Sequence, residues 1–282
     1  MCNISRCSRQ TKAPRCSFYG DPDPCISGSS QYREALYSMS SLEKLARFAR
    51  KPLHHKWSAT KATIGELRKE LQVALMHFRA AQIEFNSGLG NAGHVLYGLV
   101  RSMRPDVCVE IGSARGKSAC YIGMALKENR RGRLYAIDPH SSTAWNDDID
   151  TAESFRTNIS RLGLSDQVTL IRSTSEEAAR DWHRPIDLVF IDGDHSYPGA
   201  KRDWELFAPH VRPFGIVVFH DTIWDLPPWR ERARADMGVP RLVDELREQG
   251  FQVLTIDQDC GVSIVQPIVG GYPLRNRPLD SH

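Results

Sequence analysis

The sequence predicts an α/β fold in which helices cover a doubly wound, mostly parallel sheet of seven strands. Two observations predict this fold. Short apolar runs alternate with helical patterns from about residue 92 onward, and the last two apolar runs are joined by a tight turn. Repeated strand–helix units are typical of a parallel sheet, and the closing pair predicts an antiparallel hairpin at its C-terminal end. A helical extension is predicted before the first strand.

The predicted elements follow one another in a Rossmann-like order. The strands are predicted at 107–111, 133–138, 168–172, 187–192, 215–221, 251–256 and 261–266. The helices between them are predicted at 92–103, 117–129, 152–162, 175–182, 198–208 and 238–249. Open α/β sheets bind ligands at the carboxyl ends of their strands, so functional residues are expected at that edge.

The N-terminal part of the chain has a different character. Its first residues are rich in Ser, Pro, Gly and Cys, which predicts a disordered tail. A short helix is expected at 31–52 and an amphipathic helix at 61–85, where apolar residues recur at helical spacing. The second helix could cover the main domain or join two copies of the chain as a homo-oligomer. The expected parts are a tail (1–30), a helical extension (31–90), the α/β domain (91–267) and a C-terminal tail (268–282).

The composition is typical of a globular protein. Of the 282 residues, 41% are hydrophobic and 25% charged, which is ordinary for a globular protein. No apolar run is long enough to span a membrane, and the N-terminus lacks the apolar core of a secretion signal, so a cytoplasmic protein is expected. The net charge of +3 does not indicate a nucleic-acid partner. The seven cysteines are expected to be reduced thiols.

A glycine loop follows the first predicted strand. The segment VEIGSARGKSA places Glu110, Gly112 and Gly116 between this strand and the next helix, whose first amides are free donors. Asp138 ends the second strand, where a carboxylate can accept hydrogen bonds from both hydroxyls of a ribose. A dinucleotide and S-adenosylmethionine both fit this arrangement. The fingerprint GxGxxG is absent, which disfavours an NAD-dependent oxidoreductase.

Two polar strings end the fourth and fifth predicted strands. FIDGDH contains Asp192, Asp194 and His195, and FHD contains His220 and Asp221. Because neighbouring parallel strands end at the same edge, these carboxylates and imidazoles are expected to converge. Carboxylates and imidazoles can bind a divalent cation or transfer a proton. The sequence therefore predicts a catalytic or metal-binding cluster at this edge.

Residues 92–266 resemble the class I S-adenosylmethionine-dependent O-methyltransferases. The ExGxxxG loop and the acids at the ends of the second, fourth and fifth strands carry the resemblance. It is strongest to the metal-dependent branch, which includes catechol, caffeoyl-CoA and macrolide-sugar O-methyltransferases and the cephalosporin-hydroxylase-like group. The resemblance implies that Ser175 lies near the adenine. The cofactor contacts it implies are Glu110, Gly112, Ser113, Gly116, Ser118, Asp138 and Ser175.

The resemblance also implies a divalent cation and a general base. The cation would be held by Asp192, His220 and Asp221, with His195 as the base and Asp194 orienting it or contacting the cofactor. The family usually has a carboxylate where this chain has His220. Imidazole suits Mn²⁺, Fe²⁺ or Zn²⁺ better than Mg²⁺, which prefers oxygen ligands. Either the metal is not magnesium, or His220 acts without one.

The expected reaction is methylation of a hydroxyl on a small molecule, such as a sugar or a polyhydroxylated natural product. Trp145, Trp224 and Trp229 lie in loops where they could stack on a substrate ring, and the polar stretch 141–150 could be a mobile lid. Two alternatives stay open. One is a metal-independent N- or C-methyltransferase of the same fold, and the other is a non-catalytic protein that still binds the cofactor.

Overall fold

The computed structural model describes residues 57–141, 150–227, 229–231 and 235–267. The chain divides into two compact units, Met1–Ile64 and Gly65–His282. Only the start of one helix belongs to the described part of the first unit. The predicted helix at 31–52 and both predicted tails lie outside the described residues, as does most of the stretch 141–150.

The described helices and strands alternate as the sequence predicts. The helices are α1 (Trp57–Ala81), α2 (Ala92–Met103), α3 (Lys117–Asn129), α4 (Ala152–Arg161), α5 (Ser175–Arg180), α6 (Tyr197–Phe207) and α7 (Val239–Glu248). The strands are β1 (Val107–Ile111), β2 (Arg133–Ile137), β3 (Val168–Ile171), β4 (Ile186–Ile191), β5 (Val211–His220), β6 (Gln252–Ile256) and β7 (Val262–Gln266). Two short 3₁₀ turns occur at Ala208–His210 and Trp229–Glu231.

The seven strands form one sheet in the order β3-β2-β1-β4-β5-β7-β6. Strands β1 to β5 are parallel, whereas β7 lies antiparallel between β5 and β6. The predicted fold class, with its antiparallel C-terminal hairpin, is confirmed. The order reverses between β1 and β4, which is the position where open α/β sheets form a ligand crevice.

One strand and one helix differ from the predictions by four residues at a boundary, whereas the other predicted elements that the structure describes differ by two residues at most. Strand β5 begins at Val211 instead of residue 215, because Val211 pairs with Ile186 before a register shift ahead of the Leu188–Ile216 pair. The amphipathic helix predicted at 61–85 occupies Trp57–Ala81, and turn-type hydrogen bonds from the Gln82 and Ile83 amides follow its end. Neither difference moves a residue of the predicted site.

Side chains that alternate along the strands separate the core into two layers. Cys108, Leu188 and Phe190 face one layer, which contains α2, α3 and α4. Val109 and Val189 face the other layer, which contains α6 and α7. Successive side chains of a strand point to opposite faces of the sheet. Because helices cover both faces, both sets of side chains are buried, and these strands are apolar almost throughout. In the described part of the chain, no helix combines the length and apolarity needed to cross a membrane.

Candidate active site

The ends of β4 and β5 bring the two polar strings together. The strands pair in register from Leu188–Ile216 to Ile191–Phe219, so the residues that follow them are neighbours. The Asp192 amide continues the sheet by donating to the Ile111 carbonyl at 2.9 Å. His220 ends β5, and Asp221 then turns the chain with a left-handed φ of 59°. The left-handed turn places the carboxylate of Asp221 beside the end of β4.

Two imidazoles each contact two carboxylates at this edge. His220 Nδ1 lies 3.1 Å from Asp192 Oδ1 and 3.4 Å from Asp221 Oδ1. His195 Nδ1 lies 3.1 Å from Asp221 Oδ2, and its Nε2 lies 3.6 Å from Asp192 Oδ1. The side chains of His220 and Asp221 are almost fully buried, whereas those of Asp192 and His195 keep about a fifth of their surface exposed. The exposed pair is therefore the part of the cluster that a ligand can reach.

Mutual attraction dominates the electrostatics of this cluster. Burial alone would raise the pKa of Asp192, but His220 and His195 lower it below its usual range. Burial alone would lower the pKa of His220, but Asp221 and Asp192 raise it to about 9. The pKa of His195 is also raised, because Asp192 and Asp221 outweigh its burial. Without a bound cation, the cluster therefore holds a proton on the His220 imidazole at neutral pH.

Asp192, His195 and Asp221 form a candidate metal triad in the part of the chain that the structure describes. Each offers one ligand atom, and the three atoms lie within 4.8 Å of one another. Two carboxylates and one imidazole suit Mn²⁺, Fe²⁺ or Zn²⁺. The sequence placed His220 in this set instead of His195. His220 directs Nδ1 toward Asp192, and its Nε2 is buried without a hydrogen-bond partner.

The loops around the cluster fix two of its members. The Trp224 indole donates to Asp221 Oδ1 at 2.8 Å. The Gly238 amide donates to the His195 carbonyl at 2.8 Å. Asp194 Oδ1 accepts from the Ser196 amide at 3.0 Å and so shapes the start of α6. These contacts hold the backbone of the FIDGDH string and the carboxylate of Asp221 in place.

The glycine loop and Asp138 form one hydrogen-bonded unit. Asp138 Oδ2 accepts from the Ser113 and Ala114 amides at 2.8 Å each, and its Oδ1 accepts from the His140 amide at 2.6 Å. Gly112 has a φ of 84°, and a Cβ there would lie 2.2 Å from the Asp192 carbonyl oxygen. A glycine is thus required where the glycine loop passes the end of β4.

Several buried polar atoms near the glycine loop lack hydrogen-bond partners. Both carboxylate oxygens of Glu110 are buried and unpaired, as is the Ser113 hydroxyl. Burial raises the pKa of Glu110 to about 8, although the Ser118 hydroxyl acts in the opposite direction. Buried polar groups in native proteins are normally paired, so unpaired ones call for an explanation. A polar ligand that hydrogen-bonds to them would provide one.

Ser175 makes a contact that the sequence did not predict. Its hydroxyl donates to Asp203 Oδ1 at 2.6 Å, and burial raises the pKa of Asp203 to about 6. His140, another residue missed from the sequence, is buried beside Asp138, with its Nδ1 2.8 Å from the Thr151 hydroxyl. No periodic pattern or motif marks Asp203 or His140, because both contacts depend on packing between separate elements.

A cleft of about 600 Å³ lies between the loop after β5 and α7. Trp224 joins this cleft to the cluster through its hydrogen bond to Asp221. The rings of Trp224 and Trp229 make an edge contact with centroids 5.6 Å apart. Trp145, the third predicted stacking residue, lies outside the described residues. The other residues that line the cleft are Asp225, Arg230, Met237, Pro240, Arg241, Asp244, Glu245 and Glu248.

The central part of the chain is similar to a known family. Residues 109–222 match the family model described as a methyltransferase domain. The match covers less than half of the chain, but it runs from β1 to the turn after β5. It therefore includes the glycine loop, Asp138 and the whole Asp/His cluster.

Solved structures share the fold at low sequence identity. The cofactor-bound protein Rv0187 from MTB is 19% identical, with a TM-score of 0.54 over 71% of this chain and 90% of that one. The SAH-bound methyltransferase PaMTH1 of Podospora anserina is 16% identical, with a TM-score of 0.52 over 77% and 98%. An O-methyltransferase of Bacillus cereus in complex with SAH is 17% identical, with a TM-score of 0.50 over 79% and 96%. At these identities, the likeness shows a common fold.

Curated relatives match over a similar region. The protein named y4gI of Sinorhizobium fredii is 29% identical over 131 residues, which are 44% of this chain and 14% of that protein. The protein named R132 of Acanthamoeba polyphaga mimivirus is 26% identical over 137 residues, 45% of this chain and 58% of that protein. The chain thus spans a small part of the first relative and just over half of the second.

Proposed function

We propose that this chain is an S-adenosylmethionine-dependent methyltransferase that methylates a hydroxyl oxygen of a small molecule. The observation that carries the proposal is the position of the Asp/His cluster. Asp192, His195 and Asp221 gather at the carboxyl edge of the sheet, beside the glycine loop that Asp138 anchors. Groups able to activate a hydroxyl therefore lie next to the region that we assign to the methyl donor.

The cofactor assignment is supported by the unpaired polar atoms of the glycine loop. S-adenosylmethionine supplies an electrophilic methyl group on a sulfonium. Glu110 and Ser113 offer buried polar atoms to its polar groups, and the N-terminus of α3 follows directly. We assign Gly112, Gly116, Ser118 and Asp138 to the same site. Ser175 would act indirectly, by holding Asp203, if it keeps the hydrogen bond described above.

The acceptor hydroxyl needs help to lose its proton. A divalent cation held by Asp192 and Asp221 would lower the pKa of an alcohol bound to it. His195 would serve as the general base: Asp221 Oδ2, 3.1 Å from its Nδ1, would hold the Nδ1–H, and Nε2 would accept the proton of the acceptor hydroxyl. His220 would orient Asp192 from the buried side.

The metal triad gives His195 a second candidate role. Its ring also lies within reach of a cation between Asp192 and Asp221. A histidine that ligates the cation through Nε2 could not take the acceptor proton with the same atom. The two roles are therefore alternatives, and they predict different consequences for metal binding.

The cleft beside Trp224 supports a polar acceptor. Its lining combines an indole wall with carboxylates and guanidinium groups, which suit the ring and the hydroxyls of a sugar or another polyhydroxylated molecule. Its volume falls in the range of small-molecule sites. A metal-independent N- or C-methyltransferase is the alternative, and it predicts full activity after chelation.

One set of measurements tests this function. Calorimetric titration of the full chain should detect S-adenosylmethionine and no binding of NAD; absence of S-adenosylmethionine binding would refute the proposal. His195→Ala should keep cofactor affinity and lose methyl transfer by at least about a hundredfold if His195 is the base. Metal content measured on the same variant separates the two roles. A base variant keeps the metal, whereas a ligand variant loses it.

A further inference from the structure

Three backbone amides hold the carboxylate of Asp138, which we assign to the cofactor site. Asp138 Oδ2 accepts from the Ser113 and Ala114 amides of the glycine loop at 2.8 Å each. Asp138 Oδ1 accepts from the His140 amide at 2.6 Å. The direction of this carboxylate is therefore set by the glycine loop on one side and by the position of His140 on the other.

The backbone of His140 has a conformation that needs support from its side chain. Its φ of 52° lies in the left-handed region, which is unfavourable for a residue with a Cβ. The ring of His140 is fully buried, with Nδ1 2.8 Å from Thr151 Oγ1 and an edge contact to Phe155 at a centroid distance of 5.7 Å. Phe155 in turn packs beside the glycine loop, because a Cβ on Gly116 would lie 2.9 Å from its ring. The ring of His140 thus fastens its own amide to α4.

Thr151 makes this hydrogen bond in place of a local one. It occupies the N-cap of α4, where a threonine side chain normally accepts from an amide in the first turn. The Thr151 side chain makes no such bond, and Asp150 Oδ1 accepts from the Ala152 amide at 2.9 Å instead. Thr151 is 2% exposed, so its hydroxyl would be a buried unpaired group without His140. The hydroxyl therefore serves the position of His140 rather than the end of the helix.

The His140 ring is neutral at neutral pH and leaves Asp138 free for a ligand. Burial lowers the pKa of His140 and outweighs the opposing effect of Asp138. Nε2 is buried and has no hydrogen-bond partner among the described residues, so a charged ring would leave a buried N–H unpaired. Nδ1 lies 3.8 Å from Asp138 Oδ1, beyond a normal hydrogen bond. The neutral ring therefore bonds to Thr151, and His140 contacts the carboxylate through its amide.

We propose that His140 is a positioning residue for the ribose of the cofactor. Its ring, held by the Thr151 hydroxyl, fixes the amide that orients the Asp138 carboxylate. A ribose hydroxyl needs this orientation, because a hydrogen bond weakens steeply as its angle departs from linear. Loss of the Thr151 bond would release the ring and let the carboxylate turn away from the hydroxyls. The inference rests on the proposed function, since it takes the ligand at Asp138 to be S-adenosylmethionine or its product.

Calorimetric titration of the full chain with two ligands tests the proposal. One ligand is S-adenosylhomocysteine, the product that methyl transfer leaves, and the other is an analogue of it whose ribose lacks both hydroxyls. Thr151→Val keeps the shape of the side chain and removes its hydroxyl. This variant should bind S-adenosylhomocysteine roughly tenfold more weakly and bind the analogue within about twofold of the unmodified protein. His140→Phe, which keeps a ring against Phe155 and removes both nitrogens, should give the same pattern.

Two further variants are controls. Thr151→Ser keeps the hydroxyl and should keep the affinity for S-adenosylhomocysteine. Thr255→Val makes the same chemical change at the 2.8 Å hydrogen bond between Thr255 and Ser263, near the opposite edge of the sheet, and should leave this affinity unchanged. Equal losses for both ligands in Thr151→Val and His140→Phe would indicate a disturbed fold and overturn the positioning role. Unchanged S-adenosylhomocysteine binding in either variant would also overturn it. If the unmodified protein does not bind S-adenosylhomocysteine, the proposed function fails and this role fails with it.

Discussion

The buried carboxyl group of Glu110, which we propose contacts the cofactor, lowers the stability of the free protein at alkaline pH. Its pKa is raised by burial from 4.5 to about 8, and neither oxygen has a hydrogen-bond partner. The folded state therefore favours the protonated form more than the unfolded state does. The associated stability is fully present below pH 4.5 and is lost as the pH rises through 8. A ligand that hydrogen-bonds to this carboxyl group would reverse that loss.

We predict that Glu110→Gln stabilises the free protein at alkaline pH and weakens cofactor binding. Between the unfolded and folded pKa values of Glu110, the free energy of unfolding of the unmodified protein should fall by up to about 1.4 kcal/mol per pH unit relative to that of the variant. Urea unfolding at a series of pH values measures the difference, and calorimetry measures cofactor affinity. Parallel pH profiles for the two proteins would contradict the raised pKa. Unchanged affinity would remove Glu110 from the cofactor site.

At the scale of elements, the turn between β6 and β7 supports the N-terminus of α2. Asp259 Oδ2 accepts from the Asn91 and Ala92 amides at 2.6 and 2.9 Å, whereas the Asn91 side chain makes no capping hydrogen bond. Gly90 leaves room for this carboxylate, because a Cβ there would lie 2.4 Å from Asp259 Cγ. In the same turn, the Cys260 carbonyl accepts a hydrogen bond from the Ile223 amide. It therefore links α2 to the loop that follows Asp221.

Replacement of Asp259 by alanine should destabilise the protein by about 1 kcal/mol, the usual effect of losing a helix cap. Asp257→Ala provides the control, because Asp257 is exposed in the same turn. It should change stability by less than about 0.5 kcal/mol. Urea unfolding of the three proteins at neutral pH makes the comparison. Equal stability of the two variants would show that Asp259 does not act as the cap of α2.

The elements were predictable from sequence because each has a local signature. Short apolar runs that alternate with helical patterns located the strands, and the boundaries of α2 and α3 agree with the prediction. The convergence of FIDGDH with FHD followed from parallel pairing. The choice between His195 and His220 as the third member of the triad was not predictable, since it depends on side-chain directions and on the left-handed φ of Asp221. The Asp259 cap joins residues 168 positions apart, and no local pattern encodes such a contact.

At the scale of the whole molecule, we expect cation binding to be coupled both to folding and to proton binding. A cation that binds only the folded protein stabilises it by mass action, by about 2.7 kcal/mol at a hundred times its Kd. The raised pKa of His220, about 9, means that this imidazole is protonated at neutral pH in the free cluster. A cation held by Asp192 and Asp221 competes with this imidazolium for the carboxylates. Its affinity should therefore rise with pH.

We predict that Mn²⁺ raises the midpoint of thermal unfolding by roughly 5–10 °C near saturation, and by less at pH 6 than at pH 8. Scanning calorimetry with and without a chelator measures the shift. Asp192→Asn is the matched variant, because it removes one carboxylate of the triad and keeps its size; it should lose most of the shift. A shift of the same size in this variant would place the cation elsewhere. No shift in the unmodified protein would favour the metal-independent mechanism, in which the Asp/His cluster transfers protons without a cation.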